Sequence, residues 1–526
     1  MAVERSFMGF GMTQAPLFSK KNRLLAEPAF EGSLGVSGPN LLKNWHRCQF
    51  STWPRHGFDI ARLAALPITG RPANSLPPRR RQTMSATAHT GFIADERVTS
   101  AETDVEKRAY TKIFWRIMPY LMLCYTVSYL DRVNVGFAKL QMAGDIGLSA
   151  AAFGFGAGVF FIGYFIFELP SNLIMHKVGA RIWIARIMFT WGLISGCMMF
   201  VHSVPMFYVL RFLLGAAEAG FYPGMILYMT YWFPSYRRAR VVCVFMAAIP
   251  VSAIFGNPLS GYVMDHLNGF GGLAGWKWMF AVEAIPALLI GIITPFYLQN
   301  NVKDATWLTA EEKAIVDAKI AAEIHTKKDA GPSRTASVLR SPRVWQMCLI
   351  YFCFVLGQYG LNFWMPTLIK AAGIKGNFHI GLVSAIPYIV TLVVMLSLGI
   401  SGDKFRERRW HLAIPALISA VGFVVAATSG NIVLSIAALS VAAAGTISCS
   451  PMFWPLPTAF LAEVGAAAGI AWINSVGNLA GFCGPYAVGY LKELTGTNVA
   501  GLYLLAAALV LGAAVTLAVP KKLVNR

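Results

Sequence analysis

Twelve stretches of this chain stay apolar for about twenty residues each, the length a helix needs to cross a bilayer's hydrocarbon core. Their approximate limits are 113–138, 152–175, 182–202, 206–232, 240–264 and 277–298, then 344–369, 379–400, 410–428, 431–455, 464–491 and 499–520. Lipid offers no hydrogen bonds, so a spanning segment must satisfy its own backbone, and segments of this length do so as helices. The sequence therefore predicts an all-α membrane protein with twelve transmembrane helices in two six-helix halves. A polar extension over 1–104 precedes the first half at 105–298; a central loop at 299–343 leads to the second half and a tail at 344–526. Such a doubled plan is common among repeat-built transporters.

Charge composition agrees. Charged residues make up 13% of the chain, against about 25% in soluble domains. The formal net charge is +20, which in a polar chain would suggest nucleic acid. In a chain with mean hydropathy +0.54, Lys and Arg crowded into loops explain it better, and no nucleic-acid partner is expected. One set of loops and the tail holds Lys177, Arg181, Arg237, Arg238, Arg240, Lys404, Arg406, Arg408, Arg409, Lys521, Lys522 and Arg526. The opposite set holds Lys139, Lys277, Lys370, Lys375 and Lys492. Twelve against five puts both termini and the central loop in the cytoplasm of a cell whose inner membrane holds the protein.

Residues 1–83 mix Pro, Gly, Ser and Arg without sustained periodicity and lack the apolar core of a secretory signal. Met84 is read as the true start, with 1–83 disordered or an artefact of start-site choice. A short helix is expected from Asp104 to Lys112. In the central loop, Thr309 and Glu312 have capping-box spacing, predicting a helix from about 310 to 324. Seven of the eight cysteines fall in apolar segments, none at metal-ligand spacing, and read as small buried hydrophobes. No GxxxxGK[ST] phosphate loop, HExxH or GxSxG occurs, so an ATP-driven pump or an enzyme is not expected, and no cofactor is.

Ionisable groups inside spans are costly and mark function by default. They are Asp131 and Arg132 in span 1, Glu168 in span 2, Arg211 and Glu218 in span 4 and Glu283 in span 6. Spans 7–12 carry none in their interiors and offer Gln358, Tyr359, Asn362, Tyr388, Ser448, Ser450, Asn474 and Asn478 instead. Charge chemistry is thus confined to the first half. Tyr129 and Arg132, three residues apart, share a helix face, and a guanidinium fork beside a hydroxyl suits a carboxylate ligand. Asp131 points about 100° away, placed to carry a proton or simply to neutralise Arg132. Glu218 lies among small residues, where helices approach closely, and is a second proton candidate. Arg211, seven residues earlier, contacts backbone or assists proton movement. Glu168 and Glu283 lie towards span ends, where binding a neighbouring helix terminus is the simpler reading.

With these spans, the chain from about 105 to 520 resembles the major facilitator superfamily. Loop 2–3, NLIMHKVGAR at 172–181, is a degenerate form of that superfamily's GxLxDRxGRR motif, with His176 in the place of an acid. GISGDKFRERR at 399–409 repeats it with the acid kept, and Arg211 with Gly215 matches its RxxxG signature. More narrowly, YLDRVNVGFA at 129–138, FELPSNL at 167–173, GWKWMF at 275–280, WLTAEEK at 307–313 and YGLNFW at 359–364 resemble the anion:cation symporter family, nearest to its tartrate transporters. The resemblance implies uptake of a small organic anion with protons by a monomer in the lipid bilayer. By likeness to galactonate carriers it implies proton transfer at Asp131 and Glu218 and substrate binding at Tyr129, Arg132, Tyr164 and Asn474, with Gln358 and Asn362 as further polar contacts. Ile249-Pro250 departs from that likeness in span 5, which argues against galactonate itself. Arg211, Lys177, Arg181, Asp403, Lys404 and Arg408 stand as gating or structural residues. A uniporter or sodium-coupled carrier is the alternative, and a non-transporting sensor a remote one.

Overall fold

The computed structural model describes residues 104–328, 340–405, 407–460 and 463–521. Their regular structure is helical throughout. The expectations for residues 1–83 lie outside the described residues. The predicted short helix at 104–112 is continuous with span 1, which runs Asp104–Val133, breaks at Asn134 and resumes as Val135–Asp145. Spans 2 and 3 are Ala150–Val178 and Ala180–Cys197. Span 4 is split into Val204–Glu218 and Phe221–Thr230, and span 5 into Ser235–Met246 and Ala248–His266. Span 6 is Gly275–Tyr297.

In the second half, span 7 is Pro342–Ala371, span 8 Asn377–Phe405 and span 9 Arg409–Thr428. Span 10 is Ile432–Phe453 with a short continuation, Pro455–Phe460. Span 11 is split into Glu463–Asn478 and Ala480–Thr495, and span 12 is Val499–Leu517. Among the described residues, ten helices are long and apolar enough to cross a membrane. The other two spans, 1 and 11, are the ones interrupted at Asn134 and Leu479.

The breaks have local causes. After Glu218 the backbone leaves the helix at Ala219 and turns left-handed at Gly220, with φ 83°. Only glycine is comfortable there, and a Cβ would also collide with Ser171. Discontinuous helices of this kind line binding sites in transporters, because their freed backbone ends face polar groups.

Between Lys303 and Lys328 the predicted loop helix forms as Ala310–Lys328. Its capping box is complete: Glu312 N donates to Thr309 Oγ1 at 3.2 Å and Thr309 N to Glu312 Oε2 at 2.9 Å. Burial alone would raise the Glu312 carboxyl, but the Lys112 ammonium and the Thr309 amide outweigh it and hold the group below its ordinary range. Lys112–Glu312 at 2.7 Å and Lys319–Glu106 at 3.7 Å dock this helix on span 1.

The halves meet most extensively where span 5 packs on span 8 and span 2 on span 11. At the end opposite the basic loops these contacts are backbone against backbone. A Cβ on Gly261 would strike the Asn377 carbonyl, one on Gly381 the Asn257 carbonyl, one on Gly489 the Ala150 carbonyl and one on Gly154 the Pro485 carbonyl. Each seam is finished by a carboxylate on the start of the opposing helix, where free N–H groups favour negative charge. Asp265 accepts from Asn377 Nδ2 and Phe378 N, both at 2.7 Å. Glu493 accepts from Ser149 Oγ at 2.8 Å and Ala151 N at 2.9 Å. The second arrangement is the first with the halves exchanged.

Candidate functional site

Arg132 is the centre of the site. Its Nη2 is ion-paired with Glu218 Oε1, and its Nη1 donates to Tyr359 Oη at 2.9 Å. Ser128 Oγ, one turn earlier on span 1, donates to the same Glu218 oxygen at 2.7 Å. The guanidinium carbon lies 5.3 Å from the Phe160 ring centroid and 5.5 Å from that of Tyr164, within cation–π range. Arg132 Nε is buried with no hydrogen-bond partner. A buried donor left unmade costs free energy, so the fork is held short of saturation.

Arg132 opens onto a small void whose wall also carries Tyr164, Gln358, Tyr359, Ser450, Asn474 and Asn478. Tyr125, Met246 and Tyr351 line it as well. Met246 and Tyr351 stand in the parts of spans 5 and 7 nearest the basic loops, away from the end that the glycine seams close. Of the hydroxyl-bearing residues that line it, Tyr125, Tyr222 and Tyr351 are the ones sequence reasoning did not single out, whereas Tyr359 was named among the polar groups of span 7. Tyr125 is one turn before Tyr129 on the same face, a signal that was present.

Of the expected substrate contacts, Arg132, Tyr164, Gln358 and Asn474 reach the void. Tyr129 and Asn362 are not among the residues that line it and lie directly behind Gln358. Tyr129 Oη accepts from Asn362 Nδ2 at 2.6 Å and Gln358 Nε2 at 3.2 Å, while Tyr388 Oη donates to Asn362 Oδ1 at 2.8 Å. This chain of amides and hydroxyls ties span 1 to spans 7 and 8 behind the cavity wall. Ser450 Oγ donates to Gln358 Oε1 at 2.8 Å, bringing in span 10. A fully satisfied polar network of this kind fixes one arrangement of its members.

The remaining acids part company. Asp131 is turned away from the void towards span 3, where Trp191 Nε1 donates to it at 2.6 Å and Ser195 Oγ at 3.1 Å. Glu283 accepts from Ser260 Oγ at 2.6 Å and Asn134 Nδ2 at 2.9 Å, inside the first half. Glu168 does not bind a helix terminus, as its position had suggested. It reaches across the halves to Asn474 Nδ2 at 3.0 Å, with Ser475 Oγ at 3.5 Å. Asn474 was therefore legible as a cavity residue but not as the partner of Glu168.

Arg211 is fully buried and grips span 2 through the Ala157 carbonyl at 3.1 Å and, more weakly, the Gly156 carbonyl at 3.4 Å. In the loop motifs, Lys177 and Lys404 are exposed, Arg181 gives its backbone N–H to Asn300 Oδ1 at 3.0 Å and Arg408 Nη1 donates to the Pro455 carbonyl at 2.8 Å. The side chain of Asp403 lies outside the described residues.

Comparison with known proteins follows the same lines. The Major Facilitator Superfamily matches residues 121–485. The chain is 46% identical over 432 residues to the "Putative metabolite transport protein NicT" of Pseudomonas putida, covering 81% of this chain and 99% of that one. It is 48% identical over 416 residues to a "Putative tartrate transporter" of Agrobacterium vitis, covering 79% and 95%. Among solved structures, the xylose transporter XylE from E. coli in a partially occluded inward open conformation superposes with a TM-score of 0.62 at 16% identity, covering 77% and 98%.

Proposed function

Because this chain belongs to the major facilitator superfamily and is a multi-pass membrane transporter rather than an enzyme, we propose that it carries a small hydroxylated carboxylate together with protons by alternating access. The observation that carries this reading is the buried Arg132–Glu218 pair on the cavity wall, with Arg132 Nε unpartnered. A substrate carboxylate and the Glu218 carboxylate compete for one guanidinium. A proton on Glu218 weakens its hold, frees the fork and lets the substrate take its place. Loss of that proton restores the pair and expels the anion. Proton and anion therefore bind together because each favours the state the other needs.

Around that exchange, Tyr164, Tyr359, Gln358 and Asn474 offer neutral donors and acceptors for hydroxyls. The tartrate named for one relative has the matching pattern of carboxylates and hydroxyls. Asp131, behind span 1, is the proposed second proton position. Each proton contributes about 2.3 kcal/mol at 100 mV, so two protons carry a monovalent anion inward with net positive charge and a dicarboxylate such as tartrate electroneutrally. With the basic loops in the cytoplasm of the inner membrane, the void faces inward, and the sealed end faces out.

Purified protein in liposomes with an imposed inward pH gradient tests this. Labelled tartrate should accumulate, and an uncoupler should abolish accumulation. Accumulation driven by sodium, or unaffected by the uncoupler, would turn the reading towards the sodium-coupled or uniport alternative.

A further inference from the structure

Lys139 belongs to no role given so far. Its place in the sequence suggested a loop, yet it sits in the helix Val135–Asp145 and is 8% exposed. The ammonium has no hydrogen-bond partner. It lies 3.2 Å from the Trp364 ring centroid and 4.3 Å from that of Phe153. Trp364 comes from span 7 of the opposite half and is fixed by its indole N–H on the Pro485 carbonyl at 3.2 Å. Lys492, on span 11, approaches the same indole at 5.4 Å. Two cations from opposite halves thus share one ring at the sealed end.

An unpaired ammonium so deeply buried is expensive, and a cation–π contact returns only about 2 kcal/mol when desolvated. Stability alone would favour an aliphatic residue there. The cost makes sense if the ammonium is not always buried. Phe153 and Lys139 stand on one half and Trp364 on the other, so parting the halves at this end exposes Lys139 to water. It lies seven residues beyond Arg132, across the break at Asn134 and towards the sealed end. The two cations therefore define successive positions along span 1.

We propose that Lys139 is the outer capture residue, which draws the substrate carboxylate into the outward-facing cavity before it reaches Arg132 and is stowed on Trp364 when that side closes. The inference rests on the carboxylate reading above and adds to it a second anion position on the path. With the seam closed, the stowed cation also leaves no charge to hold the anion back once it has moved inward.

The test measures labelled tartrate uptake into cells, where the sealed end faces the medium, and into inside-out vesicles. Lys139→Met keeps the aliphatic contact with Trp364 and removes the charge; Lys139→Arg keeps the charge. Lys139→Met should raise KM from the outer side about tenfold with kcat within twofold, and leave KM from the inner side unchanged. Wild-type outer KM should rise with ionic strength, as a solvated cation demands, and that slope should flatten in Lys139→Met. Lys139→Arg should stay within threefold of wild type. Should Lys139→Met lower kcat at unchanged KM, or raise KM equally from both sides, Lys139 is an interface residue and the capture role is overturned. Lys139→Met absent from the membrane while Lys139→Arg is inserted and active, but with outer KM insensitive to salt, overturns it too. If the wild type carries no carboxylate at all, the underlying reading falls first and this one with it; normal wild-type uptake with an unaffected Lys139→Met removes this inference alone.

Discussion

The two halves share a topology and divide the chemistry. In the first, Arg132, Glu218, Asp131, Glu168 and Glu283 are all buried within spans. In the second, the corresponding interior holds amides and hydroxyls: Gln358, Asn362, Tyr359, Ser450 and Asn474. Charged groups inside a bundle must stay paired or be neutralised, so on the proposed reading the first half is the energised component. Neutral hydrogen-bonding groups cost little to expose or cover, and the second half can close over a solute without rearranging charge. On the proposed reading, the first half supplies the proton-linked acids and the guanidinium for the cargo's carboxylate, and the second half the neutral groups that meet its hydroxyls.

This division can be broken at several strengths. The largest effect is expected for Glu218→Gln, which should reduce proton-driven accumulation to background while counterflow of labelled for unlabelled tartrate persists. Accumulation that survives would remove Glu218 as the coupling group. Arg132→Lys keeps the charge but loses the fork, and Arg132→Ala strands Glu218. Removing the charged partner of the substrate carboxylate costs about 2–5 kcal/mol of binding, so uptake affinity should fall by about a hundredfold or more in the alanine variant, with the lysine variant between it and wild type. Binding measured by calorimetry is the check.

Asp131→Asn is the sharper probe, since that carboxyl touches Trp191 and Ser195 rather than the void. If it carries a second proton, the accumulation ratio at 100 mV should drop by about fiftyfold, the equivalent of about 2.3 kcal/mol. An unchanged ratio would leave one proton per cycle and make Asp131 part of the scaffold of span 3. On the neutral side, Asn474→Ala or Gln358→Ala should raise KM only about tenfold, in keeping with one lost hydrogen bond, and leave the proton dependence intact. A loss of coupling in either would blur the distinction between the halves.

The smallest effect concerns the loop helix, which is docked on the first half. Glu312 is held below its ordinary range, so its contribution is complete above about pH 4.5 and fades as pH falls through the lower folded value. Hydrogen-exchange protection over 310–322, taken relative to the intrinsic rate at each pH, should therefore be high at neutral pH and fall in acid. Glu312→Gln should show the lower protection at neutral pH and converge with wild type in acid, without altering uptake.

Much of this was legible in the chain. Hydropathy alone places twelve spans, because lipid forces every segment to be self-sufficient, and the Thr309–Glu312 capping box forms as its spacing predicts. The confinement of charge to the first half was visible residue by residue. Partnerships were not. That Glu218 holds Arg132, that Glu168 reaches Asn474, and that Asp131 faces Trp191 depend on how helices from distant parts of the chain rotate against one another. Periodicity fixes a face of one helix but not the neighbour that meets it. Tyr129 illustrates the limit: its hydroxyl shares the Arg132 face as expected, yet span 7 amides cover it. Lys139 shows the converse, since a single Lys beyond an apolar run reads as a loop residue until Trp364 is seen over it.

The glycines at Gly261, Gly381 and Gly489 have one more implication. A joint made of bare main chain has no slack, and the width of one methyl group decides whether it shuts. Alanine at any of these positions would act as a doorstop, trapping the carrier with its chamber exposed to the medium, and such variants would supply the alternate conformer for study without any change to the chemistry inside.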